Sequence, residues 1–432
     1  MSDAVGKEIY ALIERLHPIC RSITGDGVRA TLDILGEHIP LVRHEVPSGT
    51  EVLDWTVPRE WNIQDAYVKD LAGNRVVDFK ASNLHVMSYS TPVAPQRITL
   101  DVLREHLHSL EDQPELIPYR TTYYDEAWGF CLTHNQLASL SDDEYEVAID
   151  STLADGSLSY GELFIEGETD EEVLISVHVC HPSLANDNLS GVAVAVQLAK
   201  QLAKHKLRLS YRFVFIPGTI GAITWLARNR EGVERIAHGL TLVCIGNDEP
   251  LQYKRTLDGS HDIDRAVEYV LRCQDDLSEV RDFHPYGYDE RQYNSPGFRI
   301  PVGSLMRGHH GEFPEYHTSA DNLSFVRPDR LGHAFDTLLQ IVSVLEGNQY
   351  YVSLSPFGEP QLGRRGLYQG MGGETTPANI SIAMLWVLQL ADGNHDLLAV
   401  AKRSGVAWDD LCRAVELLIE RDLLTEVAEE NL

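Results

Sequence analysis

Three short apolar segments, EEVLISVHV, YRFVFI and LTLVCI, are each followed by a stretch with helical spacing: SGVAVAVQLAKQLA, AITWLARN and DIDRAVEYVLRCQDDL. That alternation constrains the chain more than any other feature. A buried strand needs partners on both edges and cover on both faces, so strands repeatedly followed by helices predict one sheet of largely parallel strands between two helical layers. PDRLGHAFDTLLQIVSVLEG supplies a long closing helix. Two helical patterns, DAVGKEIYALIERL and RSITGDGVRATLDILGEHI, open the chain, which assigns 1–44 and 126–354 to this α/β core. Between them, 45–125 breaks into β-like pieces such as EVLDWTVPREW and HVMSYSTPV, punctuated by Pro, Gly and Asn, and reads as an inserted β-rich subdomain. After a linker beginning SPFGEPQLGRRG, three short helical patterns with a Ser-Gly turn before the third predict a winged helix-turn-helix over 355–432.

At 432 residues the chain exceeds what one core usually organises, so several domains are expected. A formal charge of −29 repels phosphate backbones and anionic lipid. The tail from Ser355 carries twelve Asp and Glu against six Lys and Arg, so its helix-turn-helix pattern points to protein docking or self-association rather than to DNA. No apolar run reaches membrane-spanning length and the N-terminus lacks a signal-peptide pattern. Six cysteines without paired or zinc-ribbon spacing suit a reducing compartment, and the expectation is a soluble cytoplasmic protein, with a homo-oligomer possible.

In an open α/β sheet the ligand crevice lies beyond the carboxyl ends of the strands. The loop after EEVLISV, HVCHPSLANDNLSG, places His178, His181, Asp187 and Asn188 within eleven residues, ahead of a helix that starts at Ser190-Gly191. Imidazole and carboxylate are the ligands zinc takes where a site stays open to water. The segment GHHGEFPEYHTSADN adds His309, His310, Glu312, Glu315, His317 and Asp321. His317 is the ligand candidate there, because Asp321 four residues on could orient its ring; His309 and His310 read as solvated.

The pattern of strand, His, Asp-Asn, Ser-Gly and YHTSADN resembles the co-catalytic zinc aminopeptidase and glutamate carboxypeptidase superfamily. RSITGDGVR, DWTVPREW, IPYRTTYY, CHPSLANDNLSG, DERQY, YHTSADN and EPQLGRRGLY are more closely similar to a bacterial family of aminopeptidase-like proteins linked with polysaccharide biosynthesis. The resemblance spans nearly the whole chain. It implies a phosphorylase/hydrolase-like α/β/α core with a mixed sheet, a small inserted β-rich domain and a C-terminal winged helix. It further implies one Zn2+ ion, or two, held by His178, Asp187 and His317. A further carboxylate ligand is expected after the third strand, where GNDEP offers Asp248 beside Asn247.

The chain departs from that pattern at three places. Cys180 stands where an Asp normally follows the first His, and His181 could substitute for it. Asn247 holds the expected third-strand carboxylate position. In PGTIG, Gly218 and Thr219 replace two glutamates, the first of which is the general base, retained by the closer family as PETIG. Losing a general base typically removes about 10²–10⁴-fold of rate. Glu290 and Glu315 are replacement candidates. Arg291 and Tyr293 could hold a substrate carboxylate or carbonyl, and Arg120, Tyr123 and Tyr124 could close the site from the insertion; each could equally be packing. Cys180 as a nucleophile is the weakest option.

The resulting expectation is a zinc-dependent hydrolase of an amide or peptide-like bond, impaired at position 218 and acting on a small-molecule or peptide-like substrate. The alternative is a catalytically inactive metal- or ligand-binding protein whose winged helix mediates docking or dimerisation.

Overall fold

A computed structural model describes residues 2–274, 277–309, 311–367 and 378–427 of the chain. These form two compact units, one of residues 1–264 with 274–338, the other of 265–273 with 339–432.

The first unit is built on an eight-stranded mixed sheet of β1 (Val42–Pro47), β2 (Ser157–Ile165), β3 (Glu172–His178), β4 (Ser210–Ile216), β5 (Ile236–Val243), β6 (Leu251–Lys254), β7 (Glu279–Arg281) and β8 (Val302–Arg307). Their order is β1-β2-β4-β3-β5-β8-β6-β7. The expected parallel register holds through the centre, where β3 pairs parallel with both β4 and β5, and β5 with β8. Antiparallel pairing enters towards the edges, between β1 and β2, β2 and β4, and β6 and β8. Every residue of β3 is buried, which is why EVLISVH shows no alternation of apolar and polar positions. Its last residue, His178, lies opposite Ile216, the last of β4. The loops that follow these two strands therefore leave the same edge of the sheet side by side.

The helix after β3, Gly191–Leu202, starts hard against the sheet. A Cβ on Gly191 would stand 2.4 Å from the Leu242 carbonyl oxygen and 2.7 Å from Oδ1 of Asn188, so only glycine permits this approach. Ser190 before it accepts the Ile245 N–H at 2.9 Å and donates to the Asn186 carbonyl at 2.6 Å. The Ser-Gly pair is thus a close-packing device that pins the loop to the residues after β5.

The β-rich segment forms a separate four-stranded sheet in the order Arg75–Asp78, Glu60–Lys69, Glu144–Ala154, Val93–Thr99. The strand Glu144–Ala154 pairs with both Glu60–Lys69 and Val93–Thr99. The insertion is therefore held together by a strand lying beyond the 45–125 stretch that composition marks out.

In the second unit Tyr350–Ser353 lies between Asp392–Asp396 and Leu424–Glu426, all antiparallel, with helices Ala378–Leu390, Leu397–Ser404 and Trp408–Ile419. Gly405, at φ +68°, ends the middle helix with the left-handed residue its Ser-Gly sequence calls for. Asp396 organises this unit. It caps the middle helix by accepting the Ala399 N–H at 2.8 Å, binds both terminal nitrogens of Arg265 at 2.6 and 2.8 Å, and accepts from Asn348 at 3.0 Å. Burial would raise its carboxyl pKa, but Arg265, Asn348 and the Ala399 amide outweigh burial and hold it below the usual range. A depressed carboxylate contributes stability that is present above its unfolded pKa near ~3.9 and is lost as pH falls through the folded value. Asp396→Asn is expected to cost this unit roughly 2 kcal/mol at pH 7. The gap from the unsubstituted protein should shrink towards pH 3.5 in denaturant unfolding.

All six cysteines are free thiols. No helix among the described residues is long and apolar enough to cross a membrane.

Candidate metal centre

The loop after β3 turns Asp187 back under His178, and a separate loop brings His317 to the same carboxylate. His178 Nε2 lies 2.8 Å from Asp187 Oδ1, and His317 Nε2 lies 3.1 Å from Oδ2. His181, three residues further along the loop than His178 and buried, puts its Nε2 3.9 Å from Oδ2. Three imidazoles thus surround one carboxylate. His178, His181 and Asp187 are buried, whereas the His317 side chain keeps 34% of its surface exposed and is the open side of the group.

The surroundings fix this geometry. Asn188 is held by the Leu242 carbonyl at 2.8 Å and the Cys244 N–H at 3.1 Å, which sets its amide against Nδ1 of His178. Asp321 accepts the backbone N–H groups of Asn186 and Asp187 at 2.6 and 2.9 Å. It therefore orients the loop that carries Asp187, not the His317 ring as its four-residue spacing suggests. Burial, with the neighbouring Asp187 charge, pushes the Asp321 carboxyl up to about 7 against those amide bonds. Arg21, 1% exposed, donates from Nε to the His181 carbonyl at 2.9 Å and from Nη1 to that of Leu16 at 2.7 Å.

Burial alone would raise the Asp187 carboxyl, but His181, His178 and His317 outweigh it and hold it well below the usual range. Burial pushes His181 well below an ordinary imidazole, and only the Asp187 charge opposes it strongly. A buried anion faced by imidazole nitrogens is the donor set a divalent cation takes.

His317 has φ +55°, a left-handed conformation costly for a residue with a Cβ. It is held there by main-chain bonds. Tyr119 N–H donates to the His317 carbonyl at 2.8 Å, and Ser319 N–H to that of Ile117 at 2.9 Å. Tyr316 stacks on the His317 ring, centroids 4.0 Å apart at 12°, while Tyr119 meets it edge-on at 5.1 Å. A cavity of 470 Å³ opens here, lined among others by His317, Tyr119, Arg120 and Tyr316.

The other sequence-derived candidates divide. Arg120 is exposed but lines this cavity, and Tyr123 stands behind its wall, with its hydroxyl 2.9 Å from that of Tyr119. Asp248 is not at the site: it lies on the surface between Arg327 at 3.1 Å and Arg330 at 2.9 Å. Asn247 is buried but is used up bridging the Arg307 carbonyl and the Glu249 N–H. Glu290, fully buried, is a structural anion, 2.5 Å from Lys254 Nζ and accepting the Tyr288 N–H at 3.1 Å. Glu315 is half-buried two residues before His317, and no contact among the described residues joins its carboxylate to the group. Arg291 is exposed, and Tyr293 is buried with its hydroxyl 2.9 Å from Ser176 Oγ in the central strand β3; neither lines the cavity. Burial pushes the Cys180 thiol up to about 12, which disfavours the thiolate that a nucleophile needs. His309 is half-buried, and His310 lies outside the described residues.

Gly218 leaves β4 beside Cys180, whose thiol lies 3.8 Å from the Gly218 carbonyl. Facing it is Tyr288, which sequence reading passed over. Its ring sits over His178 with centroids 4.0 Å apart, and its hydroxyl is 3.3 Å from Cys180 Sγ. Arg21 and Tyr119 were also missed, because nothing local distinguishes a buried arginine or a site-facing tyrosine from any other.

Residues 10–348 match a family model described as a domain of unknown function (DUF4910), and 349–426 match one described as winged helix-turn-helix. The chain is 51% identical over 423 residues to a Clostridium acetobutylicum protein, covering 98% of this chain and 97% of the other. That protein's name assigns it provisionally to polysaccharide biosynthesis, with an aminopeptidase-like domain. A crystal structure of a provisional peptidase from Clostridium acetobutylicum superposes with a TM-score of 0.94 at 50% identity, covering 99% of this chain and 97% of that one. BSAP, a zinc aminopeptidase from Bacillus subtilis, superposes with a TM-score of 0.57 at 13% identity over 79% of this chain and 94% of that one, a likeness of fold.

Proposed function

We propose, from the premise that the chain belongs to the family described as domain of unknown function DUF4910, that it is a metal-dependent hydrolase of an amide or peptide-like bond. One divalent cation, zinc by its donor set, would be held by His178, Asp187 and His317, with His181 as an adjoining imidazole. The observation that carries this reading is the pair of imidazole nitrogens facing the two oxygens of one buried carboxylate at 2.8 and 3.1 Å. Zinc bonds of about 2.0–2.1 Å place neighbouring tetrahedral donors roughly 3.3 Å apart, close to the separation of each imidazole from its own carboxylate oxygen, and the ligand atoms of His178, His181 and Asp187 all lie within 4.8 Å of one another. Asp248 and Asn247 are engaged elsewhere, which favours one ion over two.

A divalent cation bound there supplies Lewis acidity towards a carbonyl and makes water more acidic. The chain's own residues do the rest. Asp321, Asn188 and Arg21 hold the ligand loop in position, and the exposed flank of His317 leaves access from the cavity where Arg120 and Tyr119 would contact a substrate. With glycine at 218 and Glu290 locked on Lys254, neither position supplies a carboxylate to move the proton, so turnover is expected to be slow. A small-molecule or peptide-like substrate and a cytoplasmic setting complete the reading, and the charge of −29 disfavours nucleic-acid and anionic-membrane partners.

Metal analysis of the purified protein is expected to find close to one zinc per chain, lost in His178→Ala and His317→Ala. Slow, zinc-dependent cleavage is expected from a panel of peptides and acyl amides. Zinc-replete protein containing no zinc would remove the proposal.

A further inference from the structure

We propose that Tyr288 is a positioning residue of the metal group, bracing His178, and that it can occupy its place only because residue 218 has no side chain. A Cβ on Gly218 would lie 1.8 Å from Cε1 of Tyr288, 2.5 Å from Cζ and 2.7 Å from the hydroxyl. These are two ring carbons and the hydroxyl fixed to them, not the end of a flexible chain, and no carbon can be accommodated at such distances. The same ring lies over the His178 imidazole, centroids 4.0 Å apart at 39°, and its hydroxyl meets Cys180 Sγ at 3.3 Å.

Tyr288 cannot easily retreat. Its backbone N–H donates to both oxygens of Glu290 at 3.1 Å, and Lys254 holds Glu290 in turn. Gly287 before it, at φ +157°, has a Cβ position 2.1 Å from Glu290 Oε1 and 2.3 Å from Lys254 Nζ, so the turn is packed against that buried pair. Residues 218 and 288 therefore exclude one another: a side chain at 218 and an aromatic ring at 288 claim the same volume beside His178. Gly218→Glu alone gains no turnover, because the new side chain meets the ring. Gly218→Glu combined with Tyr288→Ala is the smallest change that makes room for a carboxylate.

The bracing role rests on the metal reading above; the steric exclusion does not, and the test separates them. Zinc affinity, by competition with a chromophoric chelator, and the melting midpoint of metal-free protein are measured for the unsubstituted full chain, Gly218→Ala, Tyr288→Ala, the double variant and Tyr288→Phe. Gly218→Ala and Tyr288→Ala should each weaken zinc binding by about 10-fold, the usual scale for groups that orient a ligand. The double variant should bind within about 3-fold of Tyr288→Ala alone, and Tyr288→Phe, which keeps the ring, within about 3-fold of the unsubstituted protein. Gly218→Ala should lower the metal-free melting midpoint when Tyr288 is present and leave it unchanged when position 288 is alanine. Parental zinc affinity and melting in Gly218→Ala, or effects of the two substitutions that simply multiply, would overturn the proposal. Absence of zinc from the unsubstituted protein would overturn the bracing role and the metal reading together, and the melting data would then decide the steric exclusion alone.

Discussion

Asp187→Asn is expected to lower zinc content from close to one per chain to a small fraction of that, and also to lower the metal-free melting midpoint, because the imidazoles that hold the Asp187 carboxyl below its usual range lose their anion. The amide has almost the shape of the carboxylate, so packing in the loop and the backbone bonds to Asp321 survive. What disappears is the one negative charge among three imidazoles, the charge on which the proposed cation site depends. In zinc at ~1,000 times its dissociation constant the unsubstituted protein should gain about 4 kcal/mol of stability. Asp187→Asn should gain almost none. The readouts are metal analysis and thermal melting with and without zinc; a variant that still retains one zinc per chain would show that Asp187 is not the central ligand.

Glu290→Ala should fail in a different way, by losing about 3–5 kcal/mol of stability. Among the described residues, the substitution leaves the Lys254 ammonium, 2% exposed, with the His284 and Tyr286 carbonyls at 3.2 and 2.9 Å and the Phe283 ring at 5.8 Å, none of them an anion. An uncompensated buried charge costs far more than the pair contributes when complete. It also frees the Tyr288 N–H and so loosens the turn that places the ring over His178. Denaturant unfolding checks the loss. If instead Glu290→Gln unfolds like the unsubstituted protein but has lost all turnover, Glu290 is a catalytic base and its reading as a structural anion is wrong.

These two expectations separate what the chain announces locally from what it does not. His178 and Asp187 were legible because a strand of seven buried residues ends on a histidine and the next loop carries a carboxylate before a helix that must start with glycine. His317 is legible as an imidazole in a polar loop, but the neighbour that its spacing suggests does not hold the ring. Asp321 is spaced to reach that ring, yet it turns to the amides of Asn186 and Asp187, whose N–H groups lie in a loop more than 130 residues earlier. Asp248 is adjacent to the expected ligand position, but two arginines of a later segment draw it to the surface. Glu290 and Tyr293 share a short helix with Arg291, and only packing decides that the first meets Lys254, the second Ser176 and the third solvent.

By itself the sequence determined the alternation of strands and helices, the sheet edge at which chemistry could occur, the acidic C-terminal helical module and the glycine at 218. Each of these follows from short-range periodicity, turn chemistry or charge, which neighbouring residues carry among themselves. Only the tertiary structure decided that three imidazoles share one carboxylate, that Arg21 holds the His181 carbonyl from the far end of the chain, and that Tyr288 fills the room beside Gly218. Which atoms compete for one volume, and which buried donor finds which acceptor, depends on segments distant in sequence arriving at the same place, and no local pattern encodes that meeting.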